Sequence, residues 1–315
     1  VAESSIALDI ISLQACLLKQ MSCSTRQSIP EETVLFHKRI ARYRELNNQY
    51  GKNVFITGAS SGIGRACAVC LAKRGFYVTG ISRSCHEGEK RYRGGGYIRM
   101  LRMDVTDEES IRSVFEGIDR IDIAILAAGS GYAGAIEETP LSYARKQMEV
   151  NYFGVLNVCN VILPLMHKQK NGYVIVVGSV AGKVSIPIQS QYSASKYALE
   201  AYVDALRLEE EPYGIKATII EPGDTRTGFT DGRKTFIKEG SPFAATVRKA
   251  VGKMEHDERN GDRPEKAAAL VLKLIGRNNP PARTAVGLPY KMALLLIKLL
   301  PDRLREDMIR RMYLE

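Results

Sequence analysis

Tyr192 and Lys196 close the stretch Tyr-Ser-Ala-Ser-Lys, downstream of Ser179. On a helix, residues at i and i+4 share a face, so the phenol and the ammonium become neighbours. A positive charge beside a phenol favours the phenolate, which brings proton exchange nearer neutral pH. A tyrosine that can lose and regain a proton is a general acid–base. Taken alone, the pair describes many solvated helix faces; its meaning depends on what else the chain brings to it.

The next such feature is Thr-Gly-Ala-Ser-Ser-Gly-Ile-Gly at 57–64, between the apolar run Asn53–Thr57 and an Ala-rich segment over 65–74 with helical spacing. Strand, glycine turn and helix make a phosphate cradle. Gly58, Gly62 and Gly64 let backbone N–H groups approach a pyrophosphate, and the helix N-terminus favours its charge. Ser60, Ser61 and Ile63 complete the loop. The following apolar run ends at Ser82-Arg83, where a carboxylate would read the 2′-hydroxyl of NAD. An arginine there suits a 2′-phosphate, so NADP(H) is the expected cofactor, with NAD(H) as the alternative.

Strand-like runs at 53–57, 77–82, 98–103, 122–127, 172–178, 216–221 and 283–286 alternate with helical patterns at 63–74, 107–117, 140–169 (with a break), 190–211 and 264–276. This order predicts an α/β fold: a Rossmann-type, doubly wound parallel sheet of about seven strands with helices on both faces. Right-handed crossovers place every strand's C-terminal end on one edge. Gly58, Arg83, Asp104, Gly129, Ser179 and Pro222 all follow strand ends and therefore meet there, where ligands bind in open α/β sheets.

With these residues in hand, the chain resembles the short-chain dehydrogenase/reductases in their compact, single-domain branch, from about Gly51 to Val286. The resemblance rests on the glycine loop, Asp104-Val105, Asn151, Gly178-Ser179, Tyr192, Lys196, and Pro222-Gly223 with Thr227. It implies a catalytic tetrad of Asn151, Ser179, Tyr192 and Lys196. In carbonyl reduction Tyr192 would donate the proton and Ser179 would hydrogen-bond the oxygen. Lys196 would lower the tyrosine pKa and hold the nicotinamide ribose, and Asn151 would position a water linking Lys196 to solvent. Asp104, with Val105, would hold the adenine, and Pro222, Gly223, Thr225 and Thr227 would flank the nicotinamide. Homodimers or homotetramers through helices 140–169 and 190–211 are also implied. One departure is visible: Leu126-Ala-Ala-Gly129 stands where the family has Asn-Asn-Ala-Gly, and Ala127 cannot tie neighbouring strands as asparagine does.

Composition fits one catalytic domain over 51–287, with a poorly ordered or loosely helical extension over 1–50 and a helical tail over 288–315. The chain is 45% hydrophobic and 25% charged, ordinary for a soluble protein. Its net charge of +10 is scattered over no nucleic-acid module, so nucleic acid is not an expected partner. No long uncharged apolar run predicts a spanning helix. The stretch from Ile6 to Leu18 carries Asp9 and Gln14 and lacks a basic start, and so makes a poor signal peptide. Six cysteines (Cys16, Cys23, Cys67, Cys70, Cys85, Cys159) show neither disulfide nor zinc spacing. A reducing cytoplasm and no metal are expected.

Residues 224–262 show no clear period and read as an irregular lid. The apolar tail Leu294, Leu295, Leu296, Ile297, Leu299, Leu300 resembles the hydroxysteroid and retinol dehydrogenase branches and is expected to close over an apolar substrate, with weak membrane-surface contact as an alternative. The expected activity is interconversion of a secondary alcohol and a carbonyl on an apolar molecule such as a hydroxysteroid, retinoid or similar lipid. The alternatives are a 3-oxoacyl-carrier reductase and a non-catalytic NADP(H)-sensing protein.

Overall fold

Short apolar runs bounded by glycine become the inner strands of an eight-stranded sheet in the computed structural model, which describes residues 48–315. The expected extension over 1–50 lies, up to residue 47, outside the described residues. The chain runs β1 (Asn53–Thr57), α1 (Gly62–Ala72), β2 (Tyr77–Ser82), β3 (Gly88–Arg91), β4 (Tyr97–Arg102), α2 (Glu108–Phe115), β5 (Ile123–Leu126), β6 (Tyr132–Gly134), α3 (Leu141–Met148), a π-helical turn (Glu149–Phe153) and α4 (Gly154–Gln169). It continues through β7 (Gly172–Val177), α5 (Ser190–Glu210), β8 (Ile215–Glu221), β9 (Lys234–Phe236), α6 (Ala244–Asn260), α7 (Pro264–Ile275), β10 (Arg283–Ala285), α8 (Leu288–Leu299) and α9 (Asp302–Tyr313).

The sheet order is β10-β8-β7-β5-β1-β2-β4-β3. The seven strands expected from sequence are its parallel members; the eighth, β3, pairs antiparallel with β4 at the edge. Gly-Glu-Lys-Arg is fully exposed there, and its charges keep an open edge from pairing with another chain.

Side-chain alternation splits the core into two layers. Phe55, Ala124, Leu126, Val174 and Val176 pack with Val155, Val158, Cys159, Ile162 and Met166 of α4 and Leu199, Val203 and Leu206 of α5. Val54, Ile56, Ile123, Ile125 and Ile175 face the other way, onto Cys67, Ala68 and Leu71 of α1 and Ala268, Val271 and Leu274 of α7. Burial on both faces is why these strands read as continuous apolar runs. The helical run Leu141–Gln169 has the length and hydropathy of a membrane span, and 44% of its apolar window is buried inside the protein. Its apolar side is the one the sheet occupies.

Two expectations are corrected. Residues 224–262 are not irregular throughout: β9 pairs with β6 in a small second sheet, and α6 spans seventeen residues. Val247, Ala250, Val251 and Met254 form its buried face, at i, i+3, i+4 and i+7. Nor does Ala127 leave the sheet untied. The Thr57 hydroxyl accepts from both Ala127 N–H (3.0 Å) and Ala128 N–H (3.1 Å), and so bridges β1 to β5 where an asparagine was expected to do so.

Candidate active site

The strand order reverses between β1 and β5, and at the C-terminal edge there a cleft of about 410 Å³ opens. Gly58, Ser61, Gly62, Ile63, Gly64, Arg83, Gly129, Ser179, Tyr192, Lys196, Pro222, Gly223, Thr225 and Thr227 all line it. They come from separate strand ends, the loop into α1, and α5, so the topology alone has gathered them. The size suits a small-molecule site.

The glycine loop fits a dinucleotide phosphate. Gly58 sits at φ +67°, and a Cβ there would lie 2.8 Å from the Ala127 carbonyl oxygen. A Cβ on Gly64 would lie 2.3 Å from the Gly58 carbonyl oxygen, so the start of α1 is pressed against the loop that precedes it. Side chains are excluded and backbone donors and the helix N-terminus remain, which is the chemistry a pyrophosphate needs. Ser60 does not reach the cleft wall; its hydroxyl donates to Ser82 Oγ at 2.9 Å and ties the loop to the end of β2. Arg83, the next residue, is exposed at the rim.

Asp104 and Val105 also stay off the wall. The Asp104 carboxylate accepts from Thr106 N–H (2.9 Å) and Thr106 Oγ1–H (2.8 Å), fixing the turn after β4. Val105 is a core residue, 6% exposed.

Tyr192 and Lys196 share one face of α5 as their spacing requires, with Lys196 Nζ 5.8 Å from the phenol ring centre. The effect on the tyrosine differs from the expected one. Burial pushes the Tyr192 pKa up to about 12, and hydrogen bonding with Ser179 draws it back only in part. Lys196 is buried and hydrogen-bonds the Val177 carbonyl at 2.9 Å rather than the phenol oxygen, so it acts on Tyr192 through its charge alone and not through a direct bond. Burial lowers its own pKa to about 8, against the opposing pull of Glu200. At neutral pH Tyr192 is therefore a protonated phenol beside a cation, an acid ready to donate.

Ser179 is oriented by its own backbone: its Oγ accepts from Ala181 N–H at 3.1 Å as it opens the 3₁₀ turn Val180–Gly182. Asn151 is fully buried in the π-helical turn between α3 and α4. Its Oδ1 accepts from Ser130 N–H (2.8 Å), and its Nδ2 donates to the Ser130 carbonyl (3.1 Å) and Ser195 Oγ (3.0 Å). Ser195 in turn donates to the Tyr192 carbonyl at 2.7 Å. Asn151 thus supports the cleft from behind, through two serines.

Several neighbours escaped sequence reading. Ser130, Val180, Ile186, Gln189, Asp224, Phe229 and Glu258 complete the wall. The Phe229 ring stands 5.6 Å from that of Tyr192. A second cavity of about 400 Å³, lined by Ile136, Ser185, Ile186, Pro187, Ser190, Ala194 and Tyr197, shares Ile186 with the reaction cleft. Behind Lys196, the Glu200 carboxylate pairs with Lys183 at 2.7 Å and lies 3.5 Å from Arg283 Nε. Glu221 at the end of β8 is buried beside them, and burial plus the Glu200 charge raise its pKa. None of these contacts leaves a period in sequence. Phe229 carried a usable signal, as an apolar residue in an otherwise polar loop.

The tail does not wall the cleft. No lining residue comes from 288–315. Tyr290 reaches its rim: its hydroxyl donates to Asp224 Oδ2 and accepts from Asp224 N–H, both at 2.9 Å. Gly223 has to be glycine beneath it, because a Cβ there would lie 2.0 Å from the Tyr290 ring.

Comparison with known proteins agrees with this geometry. The family described as short chain dehydrogenase matches residues 52–237. A 3-ketodihydrosphingosine reductase of Bacteroides thetaiotaomicron is 39% identical over 267 residues, covering 82% of this chain and 97% of its own. A short-chain dehydrogenase from Streptomyces avermitilis superposes with a TM-score of 0.68 at 30% identity, covering 82% of this chain and 94% of that one. A short chain dehydrogenase from Burkholderia cenocepacia in complex with NADP gives a TM-score of 0.64, covering 83% and 97%; at 22% identity that likeness is one of fold.

Proposed function

The chain belongs to the short-chain dehydrogenase/reductase family of oxidoreductases acting on CH–OH groups, and from that premise we propose that it is an NADPH-dependent reductase of a long-chain lipid ketone, of the 3-ketodihydrosphingosine kind. The observation that carries the substrate class is the 39% identity across nearly the whole length of a reductase of that name. The second, mostly apolar cavity, which shares Ile186 with the cleft, supports it.

The dinucleotide, when bound, supplies the hydride. The glycine loop and the start of α1 would hold its phosphates, and Arg83, exposed at the rim, would pair with a 2′-phosphate. At the reacting end Tyr192, protonated at neutral pH, donates its proton to the carbonyl oxygen as charge builds there. Ser179 hydrogen-bonds the same oxygen. Lys196, cationic below about pH 8, stabilises the phenolate left behind. Val180, Ile186 and Phe229 exclude water from this step. The acyl chain leaves past Ile186 into the groove of Ile136, Pro187, Ala194 and Tyr197. Free thiols at Cys67, Cys70, Cys85 and Cys159 support a reducing, cytoplasmic setting. Exposed Phe153, in the π-helical turn that leads into α4, and Leu208 of α5 support self-association through helices 140–169 and 190–211.

The test is turnover of amino-ketone lipids of graded chain length with NADPH. Efficiency should rise with chain length, each buried methylene adding about 0.8 kcal/mol. Ala194→Trp, which fills the groove, should remove that dependence and spare short ketones. Equal efficiency on short and long chains, or no turnover of any lipid ketone, would refute the substrate class.

Cofactor choice is tested separately. Ser82→Asp with Arg83→Ala removes the phosphate partner and adds a repelling carboxylate. Each charge-assisted hydrogen bond lost costs about 1.5–3 kcal/mol, so the NADPH/NADH preference should shift by more than tenfold toward NADH. An unaltered protein that already prefers NADH would show that Arg83 has no such role.

A further inference from the structure

α8 carries the sequence Leu-Pro-Tyr-Lys-Met-Ala-Leu-Leu-Leu-Ile-Lys-Leu, with two lysines and no acid. At 3.6 residues per turn, Leu288, Met292, Leu295, Leu296 and Leu299 fall within an arc of about 100°, while Tyr290, Leu294 and Ile297 fall on the opposite side. The structure separates the two sets the same way. Leu288 is 70% exposed, Leu295 53%, Leu296 57% and Leu299 73%, whereas Tyr290, Leu294 and Ile297 are half-buried. No residue of α8 is buried. The inner side is anchored at the cleft rim by the Tyr290–Asp224 pair. The outer stripe, expected to cap the substrate, faces solvent instead.

Single exposed leucines need no explanation, but four leucines and a methionine on one stripe of a helix do. Lys291 and Lys298, both exposed, project along one flank of the stripe, about 40–60° from its edge. Their alkyl stems lengthen the apolar surface and their ammonium groups reach outward, as lysines do at a lipid headgroup layer. Arg303, beyond Pro301, is also exposed. A second copy of this chain fits the stripe poorly, because α8 offers no acid to meet the lysines a copy would bring. Capping of the cleft is excluded by direction, since none of its lining residues lies on α8.

We propose that α8 docks the protein on an anionic lipid bilayer, its Leu288–Leu299 stripe seated at the boundary of headgroups and acyl chains and its lysines among the headgroups. The cleft rim, joined to α8 through Tyr290, is thereby held at the membrane surface. Two lysines alone bind anionic lipid weakly, so the apolar stripe carries most of the affinity and the cations select the lipid.

Flotation of the full chain, without cofactor or substrate, on vesicles of phosphatidylcholine alone or mixed with phosphatidylglycerol tests this apart from any substrate assignment. The protein should float with the mixed vesicles, and less so with phosphatidylcholine or in high salt. Leu295→Glu with Leu299→Glu should weaken partition at least tenfold while turnover of a short soluble ketone is unchanged. Lys291→Glu with Lys298→Glu should remove the preference for anionic lipid. The milder Leu295→Gln should give a partial loss and guards against misfolding of the double variant. Failure of the unaltered protein to float with either vesicle would overturn the proposal. So would flotation of the leucine variants at the unaltered level, or conversion of a lipid-free dimer to monomer by them, which would make the stripe an interface between copies.

Discussion

Tyr192→Phe should lower the turnover number at least a hundredfold and leave NADPH binding unchanged. The substitution keeps the ring that packs against Phe229 and removes only the hydroxyl. General acid–base groups contribute about 10²–10⁴-fold, and a hundredfold loss corresponds to about 3 kcal/mol of transition-state stabilisation. Burial holds the phenol protonated across the working range, so the reduction rate should not fall through its titration below pH 10. It should fall instead as pH rises through about 8, where Lys196 loses the charge that stabilises the phenolate left on Tyr192. The sign follows from the lysine: cationic and useful below its pKa, neutral above it. Stopped-flow reduction across pH, with NADPH binding followed by fluorescence, reads both effects. Near-normal turnover by the Phe variant would remove Tyr192 from the chemistry.

The parallel sheet was legible because each inner strand is buried on both faces and so appears as an unbroken apolar run, as in Ile123–Leu126 and Tyr173–Val177. The edge strand Gly88–Arg91 was not. Its four exposed residues carry the charges of a loop, and pairing with β4 is settled by backbone hydrogen bonds that no side chain announces. α6 was legible in principle, since Val247, Ala250, Val251 and Met254 keep helical spacing. Gly252 and the surrounding charges masked that pattern against a loop-like background.

Convergence of the site was legible for a topological reason. Parallel strands joined by right-handed crossovers must deliver Gly58, Arg83, Ser179 and Pro222 to one edge, and they do. The second layer of contacts was not legible. The bonds from Asn151 to Ser130 and Ser195 span tens of residues, and the pairing of Lys183 with Glu200 depends on how a 3₁₀ turn packs on α5. The direction of the tail was hidden too: Leu294 and Leu295 are adjacent in sequence, and only the roll of α8 decides which one meets solvent.

Asn151→Leu should both destabilise the fold and slow the reaction, and the two losses should separate. The side chain is similar in volume but takes away three hydrogen bonds: Ser130 N–H is left without a partner, while Ser130 C=O keeps the Gln147 amide and Ser195 Oγ keeps the Tyr192 carbonyl. The orphaned group costs about 1–3 kcal/mol and each of the other two lost bonds about 0.5–1.5 kcal/mol, so a total of about 2–6 kcal/mol is expected, against the roughly 5–15 kcal/mol stability of an ordinary domain. The kinetic loss has another source. Ser130 lines the cleft, and Ser195 holds the carbonyl of Tyr192, so release of Asn151 frees the cleft wall and the acid together. A misplacement of about 1 Å at a reacting group can cost 10²-fold. The π-helical turn that aims Asn151 inward is otherwise a costly way to join α3 to α4, and such turns persist where a site depends on them. Thermal melts and turnover well below the melting range should therefore show a variant that is folded, less stable and about a hundredfold slower. Asn151→Asp keeps the acceptor for Ser130 N–H but loses the donors to Ser130 C=O and Ser195 and buries a carboxylate, so it should also be destabilised, increasingly as pH rises and the carboxyl ionises. A lowered melting temperature with unchanged turnover would make Asn151 a brace of the fold and nothing more.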